Sequence, residues 1–274
     1  YDWDAVPGAR DAYSFYDFDY ARHLRRRLSR LKRGKIVIAA AKPPYKCPPA
    51  PMETAMILNW WARRNGIRKD IDISVYIPEP GPIGVAGKEA SMRVRSALSS
   101  RGIELVTSAG VTEVSADGRE ASFTDDSSTT ATVIATVPVH KLPDVVAASG
   151  ISGGKPWVPV NKATLETSSP NVFAIGDVNV VPTGDFAIPK AGVFAASQGT
   201  KVGEVIASRI TGSIEPEPYA GVGFCFIAYS GGRSATVGGQ FLAEGGPDTI
   251  LSEPTVSGMK SKDRFERNWR SFKI

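Results

Sequence analysis

The junction that most constrains this chain is the one between Lys35-Ile36-Val37-Ile38-Ala39-Ala40-Ala41 and Tyr45-Lys46-Cys47-Pro48-Pro49-Ala50-Pro51-Met52-Glu53. An apolar run without polar alternation is the pattern of a strand buried on both faces of a parallel sheet. Glu53 to Gly66 reads as the helix that follows it, and Ile71-Asp72-Ile73-Ser74-Val75-Tyr76-Ile77 as the next strand, ending in Pro78-Glu79-Pro80. Together they make a βαβ unit. In a nucleotide-binding unit of this kind the first turn is G-x-G-x-x-G, which lets backbone N–H groups reach a pyrophosphate, and an acidic residue ends the second strand. Glu79 stands at the acidic place, but Pro48, Pro49 and Pro51 have no N–H to donate.

The unit is therefore Rossmann-like yet poorly suited to a nicotinamide dinucleotide. At 274 residues and 42% hydrophobic, the chain can bury a core and has the size of two compact units. Much of its +5 charge lies in Arg22 to Arg33, where Ala21, Leu24, Leu28 and Leu31 recur at helical spacing. That run reads as the wet face of an amphipathic helix or, alternatively, as a surface for an anionic partner. No nucleic-acid motif is present. No apolar stretch approaches the roughly 20 residues that span a bilayer. Cys47 and Cys225 are too few for a disulfide scaffold but enough for one redox pair.

Residues 1–33 read as a connector loop and amphipathic helix, and 34–144 as the Rossmann-like domain. Within that domain a loop over Gly81 to Gly87 precedes a helix from Lys88 to Arg101. Gly102 suits the position just past the helix end, and Ile103 to Val106 is the third strand. A β-meander follows, with strands at Val111 to Ser115, Arg119 to Phe123 and Thr132 to Val137. In residues 145–212, Asn171-Val172-Phe173-Ala174-Ile175-Gly176-Asp177 reads as a buried strand. The loop Val181 to Pro189 then opens onto a helix from about Lys190 to Thr211. Residues 213–274 form a β-rich C-terminal segment containing Gly223-Phe224-Cys225-Phe226-Ile227-Ala228-Tyr229.

A strand delivering Asp177 at its carboxyl end, the edge where α/β sheets bind ligands, offers a carboxylate to a polyol. With Pro189-Lys190-Ala191-Gly192 opening the next helix, it resembles the second flavin-binding motif of the FAD-dependent pyridine nucleotide-disulfide oxidoreductases. The resemblance implies that Gly176 and Asp177 bind the ribityl chain and that Lys190, Ala191 and Gly192 face the pyrimidine end of FAD. A helix N-terminus there would stabilise the anionic reduced ring. Asp177 serves equally as a helix cap, and Lys190 as a surface lysine.

The cysteine-proline turn resembles one branch of that family, the sulfide:quinone oxidoreductases and the flavoprotein subunit of flavocytochrome c sulfide dehydrogenase. The likeness runs over nearly the whole chain. It implies that Cys47 lies over the flavin and pairs with Cys225 on the C-terminal Cys-aromatic strand, with Glu53 as an acid/base beside the sulfur site. Met52 stands where many relatives carry tyrosine. Independently of the family, a thiol beside Lys46 at a helix N-terminus should have a lowered pKa. A lone cysteine before a helix is otherwise an inert apolar residue, Cys225 has the bland reading of a buried strand cysteine, and Glu53 that of a first-turn glutamate. His140 ends a strand that should return toward the flavin domain, or lies in a solvent-exposed loop.

The expected fold is α/β: a Rossmann-like three-layer FAD/NAD(P)-binding fold with a β-meander, a partial flavin domain and a C-terminal β-rich segment. The implied parent oxidises sulfide or a related thiol through Cys47, Cys225 and Glu53, and passes electrons through FAD to a quinone or cytochrome. No metal is expected. The end Phe265 to Phe272 offers little of an amphipathic membrane anchor, and a membrane-associated or periplasmic setting follows only from the resemblance. No G-x-G-x-x-G is present, and Tyr1 to Ala9 resembles the segment after the first flavin-binding portion. The reading thus expects a C-terminal portion that binds FAD weakly and is inactive alone. The alternatives are an NAD(P)H-dependent flavin disulfide or quinone reductase, and a non-catalytic binding domain.

Overall fold

Asp17 opens the first helix, its carboxylate accepting from the N–H groups of Asp19 and Tyr20, and α1 spans Phe18–Ser29. The structure is a computed structural model describing residues 1–183 and 186–270. Leu24 and Leu28 of α1, with Leu31 beyond it, are buried, while most of the arginines between them face water.

β1 (Gly34–Ala40) is buried on both faces, as its unbroken apolar run requires. Its side chains alternate: Ile36, Ile38 and Ala40 join one core cluster, Val37 and Ala39 another. α2 (Ala50–Arg64) follows, beginning three residues before the expected Glu53. The proline run does not delay it, because first-turn N–H groups have no partner inside a helix and Pro51 sacrifices none. β2 (Ile71–Tyr76), α3 (Gly87–Ser99) and β3 (Ile103–Val106) complete the crossover units. Gly102 lies past α3 at φ +63°, the left-handed conformation expected there.

The meander is β4 (Val111–Val114), β5 (Glu120–Phe123) and β6 (Ser128–Thr130), antiparallel throughout; the run Thr132 to Val137, expected as its third strand, is instead β7 (Val133–Val137), whose apolar residues are buried on both faces and pair parallel with β1. The central sheet has the order β3-β2-β1-β7 and every pairing in it is parallel. Met52 and Met56 of α2 and Val94 and Leu98 of α3 cover one face. Val111, Val114 and Phe123 of the meander, with Val6 and Ala9, cover the other. This is the three-layer arrangement anticipated from the sequence.

After α4 (Asp144–Ala148) and β8 (Val158–Pro159), one expectation fails. Asn171 to Asp177 is not a buried strand: it makes a single bridge, Phe173 to Glu166, and ends in a 3-10 turn over Gly176–Val178. Val172 and Ile175 remain 40% exposed. The segment's backbone pairs with the short stretch Leu165 to Thr167, the Thr167 N–H donating to the Val172 carbonyl at 2.8 Å and the Ala174 N–H to the Leu165 carbonyl at 3.2 Å, and this single bridge does not extend into a sheet. β9 (Asn179–Val180) pairs with β8, and β10 (Pro182–Thr183) with β11 (Phe186–Ala187). Within the loop expected over Val181 to Pro189, residues 184 and 185 lie outside the described residues. α5 (Gly192–Thr211) starts two residues after the expected Lys190, whose side chain is engaged elsewhere.

β12 (Val222–Ser230), β13 (Arg233–Gln240) and β14 (Asp248–Leu251) form an antiparallel sheet. The two-residue turn Gly231-Gly232 has φ of +64° and +73°, the pair of left-handed residues that a tight hairpin needs. Ile227, Tyr229 and Val237 join the same core as α2 and α3. The C-terminal sheet therefore covers the outer side of those helices. Finally α6 (Val256–Arg270) packs on β13 and β12. Its first turn is capped by Thr255, whose hydroxyl accepts from the Gly258 N–H at 2.9 Å. Of the segment Phe265 to Phe272, residues 265–270 are the end of this helix, and Ser271 and Phe272 lie outside the described residues.

Candidate active site

Cys47 sits three residues before α2 in a left-handed conformation, φ +54°, that a non-glycine residue rarely adopts. Its peptide bond to Lys46 is held at both ends. The Cys47 N–H donates to the Lys190 carbonyl at 2.8 Å, and the Lys46 carbonyl accepts from the Tyr16 hydroxyl at 2.8 Å. The Cys47 carbonyl accepts from the Ala50 N–H, which ties it to the first turn of α2.

Packing of α2 against β12 brings Cys225 to Cys47, so that the two free thiols are in hydrogen-bond contact. This contact overturns the lowered pKa expected for Cys47 from the sequence. The hydrogen bond to Cys225, and then burial, push the Cys47 thiol up, while the S–H of Cys47 holds Cys225 down. Lys46 does not lower Cys47 as anticipated: its ammonium is turned onto the Tyr1 ring, 4.9 Å from the centroid. The cation that acts on the sulfurs comes from α6. Lys262, ion-paired with Glu266, favours the thiolate form of both cysteines.

Glu53, one turn into α2, reaches β12, where its Oε1 accepts from the Ala228 N–H at 3.2 Å. Burial pushes its carboxyl up, with Lys262 opposing. It thus sits beside the thiol pair, not merely in the helix dipole. Met52 is fully buried in the core formed by α2 and the central sheet.

The Gly176-Asp177 turn and the start of α5 face each other nearby. Gly176 has φ +72°, and a Cβ there would lie 3.1 Å from that of Ala195, so the turn can approach α5 only as glycine. Gln198, fully buried, accepts from the Gly176 N–H at 2.6 Å and from the Asn179 amide at 2.9 Å. Asp177 is exposed. Lys190 is not the surface lysine of the bland reading. It is 7% exposed, donates to the carbonyls of Asp177 at 2.6 Å and Asn179 at 3.1 Å, and lies 3.6 Å from the centre of the Trp157 ring. Burial brings its pKa down to about 8 against the pull of Asp177. Ala191 caps α5 without a side-chain hydrogen bond, and the added Cβ position at Gly192 meets nothing, so the helix N-terminus opens into free space.

Both cysteines and part of the turn and helix start meet in one cavity of about 550 Å³, lined by Cys47, Cys225, Asp177, Lys190, Ala191 and Gly192 together with aromatic side chains. Phe224 and Phe226 from β12 and Phe265 from α6 form an edge-to-face and tilted cluster on its wall, with centroids 5.5–5.8 Å apart. Lys262 and Phe265 were not found by sequence reasoning. Their signal is the spacing of Met259, Lys262 and Phe265 along one helix face after a threonine cap. His140 is half-buried between the rings of Tyr1 and Tyr16, its Nδ1 donating to the Pro138 carbonyl at 2.9 Å while its buried Nε2 has no partner among the described residues. This packing replaces the exposed-loop reading, and burial lowers the His140 pKa to about 4.

The residues present fit one end of FAD: a glycine turn with a free carboxylate for a polyol, and an uncapped helix N-terminus for an anionic ring edge. Residues 52–199 match the pyridine nucleotide-disulphide oxidoreductase family. The chain belongs to this family. FAD is the cofactor that membership in the pyridine nucleotide-disulphide oxidoreductases implies, and the likeness extends to their sulfide:quinone oxidoreductase branch. The chain is 25% identical over 176 residues to the mitochondrial sulfide:quinone oxidoreductase of Schizosaccharomyces pombe, covering 62% of this chain and 38% of that protein. Against the sulfide-quinone reductase of Aquifex aeolicus it is 27% identical over 202 residues, covering 68% of this chain and 46% of the other. It spans less than half the length of either relative. The solved sulfide:quinone oxidoreductase of Aquifex aeolicus shares the fold with a TM-score of 0.79 at 19% identity, over 96% of this chain and 65% of its own. A ferredoxin reductase from Rhodopseudomonas palustris shares it with a TM-score of 0.57 at 21% identity, over 86% and 55%.

Proposed function

We propose that this chain supplies the sulfur site of an FAD-dependent oxidoreductase that takes electrons from sulfide or a related thiol and delivers them to a quinone. The observation that carries the reading is the contact between Cys47 and Cys225 inside the cavity that Asp177, Lys190 and Gly192 also line. With the two cysteines joined as a disulfide, hydrosulfide attacks one sulfur and the S–S bond breaks. One cysteine then carries the added sulfur as a persulfide and the other leaves as a thiolate. A second hydrosulfide removes that sulfur as a hydrodisulfide and leaves a thiol, so the pair has gained the two electrons that sulfide lost. Lys262 stabilises the thiolate, and Glu53, its carboxyl raised by burial, takes and returns the proton. FAD, when bound, accepts the electron pair from the cysteines and passes it on. Asp177 would hold its ribityl chain, and the start of α5 with Lys190 its pyrimidine end. The aromatic wall of Phe224, Phe226 and Phe265 favours a planar apolar acceptor over a protein haem.

The test is sulfide-dependent reduction of a soluble quinone by the flavin-loaded protein. Turnover should vanish in both Cys47→Ala and Cys225→Ala. Reduction by NADPH that survives both substitutions would favour a nicotinamide-dependent flavin reductase instead.

A further inference from the structure

The peptide between Lys46 and Cys47 is fixed by two segments that are distant in sequence from it and from each other. Its carbonyl accepts the Tyr16 hydroxyl and its N–H donates to the Lys190 carbonyl, each at 2.8 Å. Cys47 is a non-glycine residue at φ +54°, a conformation that persists only where surrounding contacts over-determine it. Of the two hydrogen bonds, only that from Tyr16 comes from a side chain. The Tyr16 ring is itself braced, edge-on to His140 at 5.4 Å and to Tyr1 at 6.3 Å and tilted on Phe15 at 5.1 Å, so its hydroxyl has little freedom to wander. Tyr16 also lines the cavity that Cys47 and Cys225 share.

We infer that Tyr16 is the positioning residue of the cysteine pair: its hydroxyl locks the Lys46–Cys47 peptide and so aims the Cys47 sulfur at Cys225. The inference rests on the reading of these cysteines as the redox pair. Loss of one such bond is worth about a factor of ten in an equilibrium.

Tyr16→Phe keeps the ring and removes only the hydroxyl, and Tyr20→Phe is its control, since the Tyr20 hydroxyl donates to the Arg10 carbonyl away from the cavity. Each protein is equilibrated with reduced and oxidised glutathione, one disulfide forming in the protein as oxidised glutathione becomes two thiols. Cys47 alkylation by iodoacetamide and amide exchange at Cys47, Val37 and Ile38 are followed alongside. In Tyr16→Phe the constant for the Cys47–Cys225 disulfide should fall about tenfold and alkylation of Cys47 should rise about tenfold. Exchange should quicken at Cys47 but not at Val37 or Ile38, with Tyr20→Phe unchanged throughout. Wild-type values in Tyr16→Phe, equal effects in Tyr20→Phe, or equal deprotection of Cys47 and β1 would each overturn the inference. If the wild-type pair forms no disulfide under any glutathione ratio, the redox reading falls, and alkylation and exchange still decide the role of Tyr16.

Discussion

The backbone N–H of Cys47 donates to the carbonyl of Lys190 at 2.8 Å, joining the loop that carries the first redox candidate to the loop that opens α5. Lys190 is in turn bound through its ammonium to the carbonyls of Asp177 and Asn179. A continuous chain of hydrogen bonds therefore runs from the sulfur site to the turn that fits the flavin ribityl chain. One hydrogen-bonded network, with the buried Lys190 at its centre, ties these two candidate groups together.

That position gives Lys190 a pH signature. Its pKa is about 8 in the folded protein, below the ordinary lysine value near 10.4. Between these values the unfolded chain binds the extra proton, so stability rises with pH across this window and the burial penalty is fully present below about pH 8. Subtracting the pH profile of Lys190→Met, measured by urea unfolding, from that of the wild type should leave a rise of about 2 kcal/mol from pH 8 to 10. A flat difference would mean that Lys190 is not buried as a cation.

The thiol pair should titrate as a unit. Cys47 donates to Cys225, so removing it by Cys47→Ala should raise the Cys225 pKa, while Cys225→Ala should lower that of Cys47. Thiolate absorbance in the ultraviolet, followed against pH in both variants, checks the two directions. Shifts of the opposite sign would place the donated proton on Cys225.

Gln198 is predicted to matter to stability more than its distance from the sulfurs would suggest. It is 1% exposed, and its single Oε1 satisfies both the Gly176 N–H and the Asn179 amide. Gln198→Leu keeps the volume but strands both donors, with an expected loss of about 2–4 kcal/mol in chemical denaturation. A loss below about 0.5 kcal/mol would show that water or a rearranged turn replaces it.

How much of this was legible depends on whether the signal is local. β1 announced itself because Ile36 to Ala41 has no polar residue to turn outward, and Gly102 because only a left-handed position follows a helix so cheaply. The same apolar logic misled at Val172 to Ile175, where a strand-like run pairs only through one bridge to Glu166 and stays partly exposed. The meeting of Cys47 with Cys225 has no local signal and was expected only from family resemblance. The acidity of Cys47 was misjudged because a neighbouring sulfur outweighs Lys46 and a helix end. α6 escaped notice because its apolar residues are few and spaced among charges, although its Lys262 acts on both thiols and its Phe265 walls the cavity.

NADH and NADPH should be poor donors to the flavin-loaded protein, and the structure strengthens the sequence argument for this. The turn that would cradle a pyrophosphate is occupied by Pro48, Pro49 and Pro51, which donate nothing. The acidic residue that would take the ribose is also engaged: Glu79 accepts from the Tyr45 hydroxyl at 3.3 Å, and Tyr45 is 3% exposed. Burial pushes the Glu79 carboxyl up. Tyr45→Ala would free the carboxylate yet leave the prolines in place, and it should not restore nucleotide use. Stopped-flow absorbance of the flavin after mixing with NADH should remain oxidised in both the wild type and Tyr45→Ala while sulfide reduces the wild type. Rapid bleaching of the wild type by NADH would mean that the dinucleotide reaches the flavin without the proline turn, and the sulfur site would lose its claim to be the electron entry.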